Sequence, residues 1–445
     1  MRIRGFAHSV RVKGRRGFLI LRSGADTVQC TYSHVQGDSA CLDAEVFSLL
    51  SKTAPESFVE VEGTLQKTGF PIKSCSVQDR EVLVQGFMVI SAASDLPFSM
   101  RDVSAPEKEK ENKNIATVAY NKRLDFRALD LRTPHSQAIF RVIDSIMHMY
   151  RSVLRKNGFV EIKTPKLIEA ASEGGANCFS VDFFRRKAFL AQSPQLYKQM
   201  AVIGGLRRVY EVGHVYRAEE SNINRYLSEF VGLDLEMEIS TSYTEVYLFV
   251  YRLLTSIFGY LETECREDLE TIRRFRHFDD ITYGSEPLVL TYRECVEMLR
   301  KNGVNMEYGA DFNREAEKML GAIVKREHGV DLFIVESYPL AVRAFYTKRS
   351  DADSTMSNSY DFILRGEEIL SGAQRISDYS ELLDSVDRAG ISRDSVRGYL
   401  ETFRLGVPPH GGAGIGLERL VKAYFGFSDI RYFSMFPRDP ARLYP

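Results

Sequence analysis

The stretch Glu229–Glu238, EFVGLDLEME, alternates without a break. Phe230, Gly232, Asp234, Glu236 and Glu238 fall on one side of an extended chain. Val231, Leu233, Leu235 and Met237 fall on the other. A helix would mix the two sets, so the period of two dictates a strand. Its apolar side must be covered. Its acidic side must stay open or find partners, because a lone buried charge costs several kcal/mol. The residues before it, YRAEESNINRYLSEF from Tyr216 to Phe230, put Arg217 and Glu219 on one side of a preceding strand. Folded as a hairpin, the two strands gather Arg217, Glu219, Phe230, Asp234 and Glu236 on one concave surface. An aromatic platform, a cation suited to phosphate and carboxylates suited to an amine or a metal then lie side by side. The alternative is a solvated, salt-bridged sheet face.

The chain has 445 residues, too many for one ordinary core, so more than one domain is expected. Over residues 1–95 five strand patterns follow one another, with an amphipathic helical stretch, DAEVFSLLSKT, after the third. That is the order of a five-stranded OB barrel, a fold often used for single-stranded nucleic acid. Residues 1–22 hold seven Lys and Arg and no acid. Such a strand is either a nucleic-acid face or a solvated basic edge, and charge alone leaves both open. The polar run RDVSAPEKEKENKN marks a hinge or linker over 96–125. Residues 126–445 read as a second, α+β domain of mainly antiparallel strands flanked by helices. A long helix opens it, and FVEIKTPKL follows as a strand. Pro165 belongs on an edge strand or at a break, so this helix–strand unit is expected at a sheet margin and at a subunit interface. Residues 265–350 read as an insertion. The six cysteines form no CxxC pair, which argues against a zinc site and for a reducing compartment. No apolar run is long enough to span a membrane, and no secretory h-region is present.

Two further motifs carry chemistry. Asp361 and Glu368 stand astride Arg365-Gly366 in NSYDFILRGEEILSGAQRI, which reads as a hairpin with the two acids roughly opposite. Facing acids repel. A divalent cation between them is one reading, with Mg²⁺ preferred because it takes a few carboxylates and completes its shell with phosphate and water. A pair reaching solvent is the other. GGAGIGLERL reads as a glycine-rich, anion-cradling turn before a helix, with Arg419 in the first turn.

Taken together, FVEIKTPKL, VYRAEESNINRYLSEFVGLDLEM and GIGLERL resemble motifs 1, 2 and 3 of the class II aminoacyl-tRNA synthetases. The N-terminal pattern is similar to the anticodon-binding barrel of the aspartyl, asparaginyl and lysyl subgroup. SEGGANCF, LAQSPQLYKQ and SGAQRI resemble the aspartyl branch of eukaryotic and archaeal type. The resemblance implies a cytoplasmic homodimer that joins L-aspartate to tRNA(Asp) with ATP and Mg²⁺, by way of an aspartyl-adenylate. It implies catalytic roles for Arg217 and Arg419, and ATP contacts from Arg217, Glu219, Arg225, Phe230, Glu368 and Arg419. Aspartate would meet Ser172, Glu173, Gln195, Lys198, Asp234, Ser371 and Arg375, with Lys198 and Arg375 clamping its side-chain carboxylate. The metal would sit on Asp361, Glu368 and Ser371. Phe18, Gln29 and Glu81 would meet the anticodon, and Pro165 the dimer interface. An asparaginyl or lysyl enzyme, or a non-catalytic tRNA-binding paralogue, remains open at this level. The motif 2 loop, Asn222-Ile223-Asn224-Arg225-Tyr226, departs from the family's usual Asn-Thr-His-Arg-His and keeps only its asparagine and arginine.

Overall fold

Strand alternation closes the N-terminal residues into a barrel. The strands are β1 (Arg2–Lys13), β2 (Arg16–Ser23), β3 (Asp26–Ser33), β4 (Phe58–Lys67) and β5 (Arg80–Ser91). They pair in the closed order β1-β2-β3-β5-β4. Inward residues such as Ala7, Leu19, Leu21, Tyr32, Val59, Val61, Val82 and Val84 form a continuous core. Helix α1 (Ala44–Ser51) lies between β3 and β4, and the Asp43 side chain caps it by accepting the Val46 N–H at 2.8 Å. The expected barrel and its helix are therefore present. The computed structural model describes residues 1–112, 115–169, 178–219 and 224–444. It divides into two compact units, Met1–Ala138 with Arg274–Arg276, and Ile139–Arg273 with His277–Pro445. The stretch read as a linker over 96–125 carries short helices at Met100–Ser104, Glu107–Asn112 and Tyr120–Asp125.

The second unit is built on an eight-stranded sheet. Its elements begin with α2 (Pro134–Lys156), β6 (Val160–Glu161), β7 (Leu167–Ile168), β8 (Ser180–Phe183), β9 (Arg186–Leu190) and α3 (Gln195–Ala201). They continue with β10 (Arg208–Tyr216), β11 (Glu229–Glu238), α4 (Thr244–Glu264), β12 (Val289–Thr291), α5 (Tyr292–Lys301) and α6 (Arg314–His328). β13 (Leu332–Glu336), β14 (Ser359–Leu364), β15 (Glu367–Gln374), β16 (His410–Gly416) and α7 (Leu417–Phe425) follow. The sheet order is β12-β13-β14-β15-β16-β11-β10-β6. Its central pairs are antiparallel, while β12–β13 and β10–β6 are parallel. This is an α+β architecture. The apolar row of β11, Leu233, Leu235 and Met237, is buried as the alternation requires.

Several local readings change. FVEIKTPKL is not one strand: Val160–Glu161 joins β10, while Leu167–Ile168 pairs with β9 in a separate three-stranded sheet. Pro165 sits in the break, where a missing N–H costs nothing. QLYKQMA forms α3. Residues 265–350 are integral to the sheet, supplying β12, β13 and α6. The glycine-rich His410–Gly416 is not a phosphate loop but the buried strand β16. The Arg365-Gly366 turn forms as expected, both residues with positive φ, but a bulge after Phe362 shifts the register. Asp361 therefore faces Ser371, and Glu368 faces Ile363.

Candidate active site

The floor of the site is set by the pairing of β11 with β16. Gly232 faces Gly416, Asp234 faces Gly414, and Glu236 faces Gly412. A Cβ at Gly412 would lie 2.2 Å from Glu236 Oε2, and one at Gly414 would lie 3.2 Å from Asp234 Oδ1. The glycines of β16 thus make room for the acids of β11. At Gly416, where a Cβ would come only to 3.9 Å of the Phe230 ring, the row leaves the sheet surface open. Over this floor lie two contiguous lobes that share Arg217, Phe230, Ser371, Gly414 and Gly416.

The first lobe holds Arg217, Glu219, Arg225, Phe230, Glu368 and Arg419, all of the expected ATP set. Arg217 leaves the end of β10 with its guanidinium 5.5 Å from the Phe230 ring centre and 3.9 Å from Glu219. Arg419 extends from the first turn of α7. It stands 3.7 Å from the Glu368 carboxylate and 5.8 Å from the ring of Tyr226, which gives that divergent loop residue a place in the lobe. Arg225 donates from Nη2 to both oxygens of Glu317, at 2.8 and 2.6 Å. Its buried Nε finds no acceptor among the described residues. Behind the lobe the Glu418 carboxyl accepts the Val231 N–H at 3.1–3.2 Å, and burial pushes it up to about 8.

The second lobe is a cleft of about 520 Å³. Arg375, Gln195 and Asp234 all line it. Glu236 is fully buried and accepts from Arg375 Nε at 2.8 Å and Nη2 at 3.2 Å. Burial works to raise Glu236, but Arg375 and Lys198 outweigh it and hold the carboxyl below the usual range. Arg375 also donates to Gln195 Oε1 at 3.3 Å. A guanidinium can only donate, so the amide nitrogen of Gln195 must face away from it. That nitrogen is a buried donor without an acceptor among the described residues. Lys198 is 1 % exposed. It points its ammonium at Asp234 (2.9 Å), the Ala413 carbonyl (3.2 Å) and Glu236 (3.5 Å). Its three donors are thus spent beneath the cleft, whereas Arg375 faces it. Alternation alone places Glu236 on this face; its organising role needs the partners that the fold brings to it.

Between the lobes, Asp361 Oδ2 accepts from Arg343 at 2.7 Å, and Ser371 Oγ accepts from the same guanidinium at 3.1 Å. No local pattern marks Arg343. Asp361 Oδ1 is buried without a hydrogen-bond partner among the described residues. Burial, then the Asp361 charge, pushes Glu368 up to about 7. Two neighbouring buried acids, one with an orphaned oxygen, are a donor set that fits a hard cation. Among the described residues no group of three or more His, Cys, Asp or Glu is placed to hold a metal by itself. Ser172 and Glu173 lie outside the described residues. Pro165 is exposed, with Leu167 beside it 48 % exposed. In the barrel unit Phe18 and Gln29 line a groove. Gln29 and Thr31 both donate to Glu81 Oε2, at 2.9 and 2.6 Å.

Comparison with known proteins agrees with this geometry. A family model described as "tRNA synthetases class II (D, K and N)" matches residues 119–440. An Encephalitozoon cuniculi protein named "Probable aspartate--tRNA ligase, cytoplasmic" is 57% identical over 445 residues, which is 100% of this chain and 94% of that protein. The Homo sapiens protein named "Aspartate--tRNA ligase, cytoplasmic" is 43% identical over 444 residues, 100% of this chain and 88% of that protein. The solved "Aspartyl tRNA synthetase from Entamoeba histolytica" matches with a TM-score of 0.91 at 38% identity, covering 100% of this chain and 90% of that one. A family match over most of the chain, full-length relatives and a two-lobed site on an antiparallel sheet converge: this chain belongs to the class II tRNA synthetases of the D, K and N group.

Proposed function

We propose that this chain is a cytoplasmic enzyme that ligates L-aspartate to tRNA(Asp) with ATP, through an aspartyl-adenylate. The observation that carries the choice of aspartate is the second lobe. A buried Arg375, held by Glu236, faces the cleft next to the unpartnered Gln195 donor, with Asp234 at hand for an ammonium group. Lys198 adds positive charge from one layer below.

In the first step the aspartate α-carboxylate attacks the α-phosphorus of ATP, a P–O bond forms, and the bond to pyrophosphate breaks. The nucleophile is already ionised, so no protein base is required. Arg217 would bind the α-phosphate and Phe230 would stack the adenine. Glu219 would take the base edge and Arg419 the distal phosphate. Their work is positioning and charge stabilisation. In the second step a terminal ribose hydroxyl of the tRNA attacks the adenylate carbonyl and AMP leaves. Class II synthetases use ATP with a divalent metal. We assign Mg²⁺ to Asp361 and Glu368, with Ser371 nearby, where it would neutralise phosphate charge. Ser172 and Glu173 would complete the aspartate site. The barrel, residues 1–95, would read the anticodon through Phe18, Gln29 and Glu81. A homodimer would form around Pro165.

Selectivity follows from charge. Asparagine has nearly the shape of aspartate, so only the lost carboxylate distinguishes it. Sites whose buried polar groups are left unmatched reject such analogues by roughly 10⁴–10⁵-fold. The deciding experiment is ATP–pyrophosphate exchange with aspartate, asparagine and lysine, followed by charging of transcribed tRNA(Asp). Exchange that depends on aspartate alone is expected. Exchange with asparagine or lysine, or none, would refute the reading.

A further inference from the structure

Glu317 lies outside both lobes, on α6 in the segment that the sequence marked as an insertion. Its carboxylate nevertheless reaches two walls of the nucleotide lobe. Oε1 and Oε2 accept from Arg225 at 2.8 and 2.6 Å, and Oε2 also accepts the Glu368 N–H at 3.0 Å. Glu317 and Arg225 are 5 % and 6 % exposed, so the pair is shielded from water and worth more than a surface ion pair. The helix that carries Glu317 is seated without slack. A Cβ at Gly321 would lie 2.5 Å from the Gly366 backbone, and one at Gly366 would lie 2.8 Å from Lys318 Cα. α6 and the β14–β15 turn are therefore in backbone contact, one helical turn from Glu317. Glu317 takes Arg225 by Nη2, while the buried Nε has no acceptor among the described residues, and Arg225 itself lines the lobe.

We propose that Glu317 is a positioning residue for ATP, which aims Arg225 from one wall of the nucleotide lobe and anchors the Glu368 end of β15 at the other. The proposal rests on the aspartate-activating function above. Through Glu317, residues 265–350 brace Arg225 in the stretch that leads into β11.

The test uses the full chain and aspartate-dependent ATP–pyrophosphate exchange, with KM measured separately for ATP and aspartate. Glu317→Ala and Arg225→Ala are each expected to raise KM for ATP by roughly tenfold or more, the effect of losing a charged hydrogen bond. KM for aspartate should stay within about twofold. The double variant should raise KM for ATP by clearly less than the product of the two single effects, since both remove the same Arg225–Glu317 contact, and Glu317→Gln, which keeps one acceptor, should fall between Glu317→Ala and wild type. The proposal is overturned if Glu317→Ala leaves KM for ATP unchanged, lowers it by releasing Arg225, or raises both KM values together. Thermal melting accompanies each variant, and if Glu317→Ala does not fold, the Glu317→Gln result decides. A wild-type chain without aspartate-dependent exchange would instead refute the underlying function.

Discussion

Arg375 and Lys198 were legible as cations from SGAQRI and QSPQLYKQ, but their division of labour was not. Local sequence could not say that Glu236 would sit between them, because β11, α3 and the end of β15 meet only in three dimensions. Arg375 is the cation that faces the cleft, and Glu236 is its fixed counter-ion. Arg375→Leu should abolish aspartate-dependent pyrophosphate exchange. It should also destabilise the second unit by about 3–5 kcal/mol, because it strands a buried carboxylate. Arg375→Leu/Glu236→Leu should recover stability without activity. Exchange surviving in Arg375→Leu at near wild-type rate would defeat the assignment. Tyr226, without an explanation in the sequence, gains one from its ring beside Arg419.

At the scale of elements, strict alternation was a reliable guide. The barrel strands and β11 lie where the period of two put them. Two of the readings that changed turn on glycine and proline. Glycine permits a turn and also permits close strand packing, so GGAGIG could not be assigned without knowing that Asp234 and Glu236 lie against it. Two glycines on β16 should therefore respond differently. Gly412→Ala places a methyl 2.2 Å from Glu236 Oε2 and from the Leu235 carbonyl. It should cost about 1–3 kcal/mol of stability in denaturant unfolding. Gly416→Ala meets only ordinary contacts, the nearest at 3.6 Å. It should change stability by less than about 1 kcal/mol while raising KM for ATP several-fold. The barrel offers a pH test. Burial raises the Glu56 carboxyl, but His8, 3.6 Å away, and the hydrogen-bonded Arg22 and Arg132 outweigh it and hold it at about 2, from an ordinary 4.5. A depressed acid stabilises the fold above its unfolded value and loses that contribution as pH falls through its folded value. About 3 kcal/mol should thus disappear between about pH 4.5 and 2. Urea unfolding of the barrel unit across that range should show this slope, and Glu56→Gln should remove it.

At the scale of the whole molecule, barrel and catalytic sheet are expected to work separably. Phe18→Ala should weaken tRNA binding by about 1–3 kcal/mol, the worth of one base stack, and leave pyrophosphate exchange unchanged. Equal losses in both assays would argue against that division. The amino-acid sequence by itself determined the strand and helix periods, the order of the barrel, the α+β class and the residue types of the hairpin proposed to hold ATP. These follow from neighbours two to four positions apart, and so they survive without knowledge of the fold. Only the tertiary structure decided the register at Asp361, the burial of the glycine row, the integration of residues 265–350 and the partners of Arg225, Lys198 and Arg375. Each of these depends on groups far apart in the chain whose charges are matched only after the sheet has formed.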